Sequence, residues 1–255
     1  LRRIAETYIA AFLAATLGGE HAYLPMLRDY RHAQDLLPKT IYLQQYEDSG
    51  FIPFVRFHED EDKTTAAWRG TEISGEGLSV WKELELEDRE GDSLFNDAVY
   101  LAWDGKQEAV YEIDLSEFDR WPESLGPDSV LGFDLANADL NPAHRHAEPP
   151  EIRLEVETSS GRRLLIDPDT VQPLPPAVHT RFTKSLFFEK ALRSGAFGHS
   201  AEATLQTFLV PLKFPGENHS LGSDRIAAIR FYFPEGRPGR IILDNIGVYP
   251  DGLRE

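Results

Sequence analysis

Cysteine is absent from this 255-residue chain, which excludes both a disulfide framework and a thiol nucleophile. A chain of this length buries a sizeable core without covalent staples. The absence says little about compartment, because secreted bacterial proteins often lack cysteine too. Long apolar runs are also missing: no stretch of about 18 uncharged apolar residues occurs, so the sequence offers no membrane-spanning helix. Positive charge is scarce, with 26 Lys and Arg against 43 Asp and Glu and a net charge of −17. Such a chain repels phosphate backbones and anionic membranes, which argues against nucleic-acid binding.

The usual serine nucleophile is missing as well. No G-x-S-x-G elbow exists. Gly91-Asp92-Ser93-Leu94 spells the signature of the GDSL esterases and Asp29-Tyr30-Arg31-His32 spells their D-x-x-H, but in reversed order. The Ser block follows the charged run 85–90 rather than a buried parallel strand, so it reads as a turn. His144 and His146 stand two apart between prolines, in a loop, and read as solvated rather than as a metal pair. No complete catalytic site is visible.

What the chain does contain is a helical preface and a long series of strands. Ile4, Tyr8, Ile9, Phe12, Leu13 and Leu17 recur at helical spacing, with Gly18 or Gly19 as the stop. That face is expected to be covered by a partner surface. A second helical patch spans 23–34, and Pro38 ends it. From Phe51 onward short strands are separated by Gly, Pro, Asp and Asn. They are expected at 51–58, 63–72, 78–88, 97–104, 109–114, 129–136, 151–158, 162–167, 178–188, 203–212, 226–234 and 239–249. Their spacing predicts a mainly β chain, a β-sandwich or barrel. Ser159-Ser160-Gly161 supplies a hairpin turn. The proline-rich stretches 141–150 and 168–176 read as long surface loops, since strands on both sides are needed for one core. The division expected is a helical segment over 1–48 and a sandwich over 49–255.

The first and last strands organise the rest. Phe51-Ile52-Pro53-Phe54-Val55-Arg56-Phe57 runs into His58-Glu59-Asp60-Glu61-Asp62, and the closing strand reads Arg240-Ile241-Ile242-Leu243-Asp244-Asn245-Ile246-Gly247-Val248-Tyr249. If these strands meet, Asp244 approaches the acidic run, and clustered hard oxygens suit Ca²⁺. An acidic run is also what a solvated turn looks like.

The aromatic-acidic opening strand, a Trp-containing second strand and the Leu-Asp-Asn-Ile-Gly closing strand together resemble the calcium-binding jelly-roll modules of carbohydrate-binding and galactose-binding-like domains. The resemblance spans 51–250. It implies a jelly-roll β-sandwich and a structural Ca²⁺ held by Glu59, Glu61, Asp62 and Asp244. Those modules commonly carry Glu directly after the aromatic, where His58 stands here. Of the four tryptophans, Trp68 and Trp103 read as core. Trp81, with polar neighbours Lys82 and Glu83, and Trp121, before Pro122 in a loop, are the expected ligand-stacking positions.

Residues 2–13 with Leu17-Gly18-Gly19-Glu20 and Tyr23 resemble the final helix of a bacterial α/β-hydrolase. The chain opens on Leu rather than Met and reads as a piece of a longer polypeptide. These resemblances imply a non-catalytic accessory or substrate-binding module at the C-terminal end of a secreted or cell-envelope bacterial ester hydrolase, an esterase, lipase or polyester hydrolase. Its partners would be the upstream hydrolase domain and a polysaccharide or polyester surface. The alternative is a free-standing, calcium-stabilised carbohydrate-binding module.

Overall fold

The computed structural model describes residues 2–57, 62–66, 68–88, 91–122, 125–141, 148–179, 183, 185, 187–188, 201–214 and 224–253. Two antiparallel sheets form a jelly-roll β-sandwich, with a helical segment at the N-terminal side. The larger sheet contains β1 (Ile52–Val55), β3 (Val80–Glu87), β4 (Ser93–Trp103), β6 (Val130–Asn137), β11 (Gln206–Pro211) and β13 (Gly239–Tyr249), in the order β11-β6-β13-β4-β3. β1 pairs with β13 beyond the stretch that β4 occupies. The second sheet contains β2 (Glu72–Glu76), β5 (Ala109–Asp114), β7 (Arg153–Thr158), β8 (Arg163–Ile166) and β12 (Ile226–Phe233), in the order β2-β5-β12-β7-β8. The two-residue strands β9 (Val178–His179) and β10 (Ala201–Glu202) pair with each other.

Alternation drives the assembly, because successive side chains on a strand point to opposite faces. Ile229, Phe231 and Phe233 on β12 face Leu131, Phe133 and Leu135 on β6 across one core, together with Val99, Leu101 and Trp103 on β4. Phe133 stacks on Phe208 at 5.4 Å and meets Phe231 edge-on. Trp103 stacks on Phe233 at 4.2 Å, and its indole N–H donates to the Arg237 carbonyl oxygen at 2.9 Å. β6 is buried along its whole length, so the outer face of the larger sheet is also partly covered. There Ala98, Ala136, Ile242 and Leu86 form a second apolar cluster with Leu205.

Most expected strands are present, with two differences. Of 63–72, the described residues make a turn and a single bridge, Thr65 to Glu72, and the strand starts only at Glu72. Of 178–188, the described residues contribute only β9. Gly91-Asp92 lies in the turn between β3 and β4, with Gly91 at φ +84°, and Ser93 opens β4.

The N-terminal helix α1 (Arg2–Thr16) packs on α2 (Leu24–Arg28) through only part of the expected face. Ala11 and Ala15 are buried, next to Met26, Ala33 and Leu37, with Ile4 and Tyr8 alongside. Ile9, Phe12 and Leu13 are 59%, 55% and 46% exposed. The small alanines let two helical segments approach closely, while Ile9, Phe12, Leu13 and Leu17 of the stripe are turned outward.

Candidate functional site on the larger sheet

The accessible part of the larger sheet's outer face lies where β3, β4 and β13 run side by side. Lys82 pairs in register with Tyr100, which pairs with Ile242, and Ile242 pairs with Ala136. In the next row Val80 pairs with Ala102 and Ala102 with Arg240. Positions two apart share a face, so Ala98, Tyr100 and Ala102 stand outward together while Val99, Leu101 and Trp103 fill the core. Tyr100 and Ala102, half-buried with the exposed Val80 and Lys82 on one side and Arg240 on the other, form a shallow trough, and Ala98 beyond them is fully buried. The Lys82 ammonium sits over the Tyr100 ring, 5.6 Å from its centre. Val80, Lys82 and Arg240 are exposed, and Tyr100 and Ala102 are half-buried.

Arg240 also lines a cleft of about 240 Å³ at the end of the trough, shared with Asn137, Asp139, Glu148, His179 and Arg237. Pro149, Pro150, Pro176 and Pro238 stiffen its walls. The Arg237 guanidinium donates to Glu148 at 2.6 Å, and the Asp139 N–H donates to the Asn137 side-chain oxygen at 2.9 Å. Gly239 is required beside this cleft, since a Cβ there would lie 2.2 Å from the Trp103 ring.

Further along the same face two carboxylates, Asp134 and Asp244, are direct cross-strand partners and almost wholly buried. Asp134 accepts from the Thr207 hydroxyl, from Gln45 Nε2 at 2.9 Å and from Asn245 Nδ2 at 3.1 Å. Burial pushes the Asp134 carboxyl above its ordinary range, and these donors pull back only part of that shift. Asp244 accepts from Asn96 Nδ2 at 3.1 Å. This group of polar side chains joins β4, β6, β11 and β13 to the extended segment 44–46.

The expected ligand set is divided. Asp244 is on this buried face. Asp62 is exposed, and its Oδ1 accepts from the Thr64 hydroxyl at 2.6 Å and the Thr64 N–H at 3.0 Å, which hold its carboxyl below the usual range. Glu59 and Glu61 lie outside the described residues. Among the described residues no three His, Cys, Asp or Glu side chains converge on a point that would hold a metal.

Both expected stacking tryptophans are half-buried against the core. Trp81 meets Tyr111 edge-on at 6.0 Å, and the Lys63 ammonium lies 4.5 Å from its ring centre. Trp121 packs on Phe54 at 5.1 Å and on Phe118 at 5.5 Å. Tyr100 and Arg240 did not stand out in the sequence. The signal for Tyr100 was the pattern Ala98-Val99-Tyr100-Leu101-Ala102-Trp103, where an aromatic between alanines alternates with a fully apolar set.

Fold and face together define a jelly-roll sandwich with an accessible aromatic trough on one sheet. No protein-family model and no curated protein matches this sequence. Among solved structures, the chain is similar to part of an exo-β-agarase, at 13% identity and a TM-score of 0.45 over 79% of this chain; the match spans about a quarter, 25%, of the agarase chain. It is also similar to the family 11 carbohydrate-binding module of the cellulosomal cellulase Lic26A-Cel5E of Clostridium thermocellum, at 13% identity and a TM-score of 0.40, covering 82% of this chain and 98% of that one. A third similar structure is TmCBM61 in complex with β-1,4-galactotriose, at 12% identity and a TM-score of 0.34, covering 74% of this chain and 90% of that one.

Proposed function

We propose that this chain is a non-catalytic glycan-binding module that serves as the accessory or substrate-binding part of a secreted bacterial ester hydrolase. The glycan half of the reading is carried by one observation: Tyr100 stands half-buried beside Ala102 on the sheet's outer face, with the exposed Lys82 and Arg240 side chains on either side. A pyranose offers an apolar C–H face for an aromatic ring and a rim of hydroxyls for polar groups. The trough supplies both. Trp81 and Trp121 belong to the proposal as outlying stacking positions.

The hydrolase half is supported by α1. Ile9, Phe12 and Leu13 line an open groove of about 740 Å³ between α1 and residues 42–48. Leaving such side chains in water forgoes roughly 1.5–3 kcal/mol each, so a neighbouring domain or a polyester surface would find a ready apolar contact there. A free-standing module would share the trough but would give this stripe no use. A structural Ca²⁺ is kept in the proposal on one ground. β1 runs antiparallel to β13, with Val55 opposite Ile246, so the chain beyond Val55 heads toward the Asp244 end of the closing strand.

Calorimetric titration of the whole chain with soluble β-1,4-galactan, mixed-linkage β-glucan and agarose oligosaccharides tests the glycan reading. Tyr100→Ala is expected to weaken binding about tenfold, in line with roughly 0.5–1.5 kcal/mol for an aromatic contact beyond its area. Parent-like affinity in that variant would remove Tyr100 from the site and the reading with it.

A further inference from the structure

We infer that the glycan this trough takes is anionic, carrying carboxylate or sulfate groups, an inference that rests on the glycan-binding reading above. Lys82 and Arg240 flank Tyr100 on the exposed face, and neither has a carboxylate partner among the described residues. Acids outnumber bases 43 to 26 in this chain, and some cations elsewhere are engaged by them: Arg56 by Glu47, Lys106 by Asp104, Arg153 by Glu151, and Arg237 by Glu148.

Strand alternation keeps acids off this patch. On β3, Lys82 and Leu84 share the outer face and Glu83 and Glu85 take the other. On β4 the outward positions are Ala98, Tyr100 and Ala102, and on β13 they are Arg240, Ile242 and, beyond Ile242, the buried Asp244. No carboxylate position lies between the two cations on these three strands. The acids closest to Arg240 are those of the cleft wall, Glu148, which Arg237 engages, and Asp139.

Lys82 and Arg240 stand two strands and one two-residue step apart, about 12 Å between Cα positions from ordinary strand spacing and rise. Charges on different units of one sugar chain span that separation. A guanidinium grips a carboxylate or sulfate through paired N–H donors, and an ammonium acts as a point charge. The trough floor between them takes the uncharged ring faces.

The test compares neutral and anionic partners of related backbone by titration of the whole chain at physiological ionic strength: β-1,4-galactan with polygalacturonate, and agarose with carrageenan. The anionic member is expected to bind about tenfold tighter, and the pair that shows the gain distinguishes carboxylate from sulfate. Lys82→Met and Arg240→Met should each remove most of that gain and keep the parent melting temperature, so that the double variant binds the anionic and neutral members of each pair about equally. A gain that persists in the double variant overturns the inference. So does neutral binding as tight as anionic, and if it depends on Tyr100 the glycan reading survives alone. Absence of binding to all four polymers overturns both.

Discussion

Gly70 and Gly161 both sit at φ +81°, a conformation that glycine enters freely and other residues resist. Their surroundings differ. A Cβ on Gly161 would meet nothing within 4 Å, whereas a Cβ on Gly70 would lie 1.9 Å from the Glu117 carbonyl oxygen and 2.8 Å from the Phe118 nitrogen. Backbone cannot swing aside as a flexible side-chain tip can. Gly161→Ala should therefore show the conformational penalty alone, about 1 kcal/mol. Gly70→Ala adds overpacking, for a total of about 2–4 kcal/mol. Denaturant unfolding of the two variants measures the difference, and equal losses would mean that the turn at Gly70 relaxes away from Glu117. Single residues also explain what the sequence concealed at the site. Tryptophan attracts attention as a sugar platform, yet Trp81 is an inward position on β3 and its neighbour Lys82 is the outward one. The one-residue shift between faces is invisible until the register is known.

At the scale of elements, the pairing of β1 with β13 decides whether the acidic run after β1 can act with Asp244. Val55 opposite Ile246 and Pro53 opposite Gly247 set the direction. A Ca²⁺ that bound only the folded chain would raise its stability with the logarithm of ion concentration over Kd. The expected outcome is that a chelator lowers the melting temperature and that Asp244→Ala abolishes the response to added Ca²⁺. An unchanged melting curve on protein verified as metal-free would reduce the run to a turn, of the kind Asp62 already makes with Thr64. Elements were the most readable level of this chain. Residues 109–114 and 239–249 were bounded as they are found, because Gly, Pro or Asp punctuates alternating apolar runs there. The helix is legible to within two residues of its bounds, whereas Ala11 and Ala15, its buried positions, lie outside the apolar stripe. Periodicity finds the apolar stripe, while Ala11 and Ala15 face α2 because they are small. The Asp134 and Asp244 pair was half-legible: Asp244 was singled out, and its partner across the strand depends on sheet order, which no local pattern encodes.

The whole molecule raises the question of where the sandwich begins. The cluster of Ala11, Met26, Ala33 and Leu37 is separate from the main core. Residues 44–46, although they precede the first strand, are bound into the larger sheet. The Thr207 N–H donates to the Gln44 carbonyl oxygen at 3.0 Å, the Tyr46 N–H donates to the Thr207 hydroxyl at 2.9 Å, and Gln45 donates to the buried Asp134. Thr207 lies on β11, at the end of the sheet order, so this segment also shields an edge that would otherwise invite pairing with another chain. Two truncations should then differ sharply. Removing residues 1–40 takes away a peripheral cluster and leaves these bonds, so the remainder should stay folded and keep its affinity for whichever glycan the parent binds. Removing residues 1–48 strips a backbone acceptor from Thr207 and a donor from Asp134, a carboxyl already pushed up by burial. Each buried group left without its partner costs about 1–3 kcal/mol, so the longer truncation should lose roughly 2–4 kcal/mol more than the shorter. Urea unfolding of both, at matched concentration, reads the difference directly. If the two midpoints coincide, residues 41–48 are only a tether between helices and sheet, and the functional unit begins at Phe51.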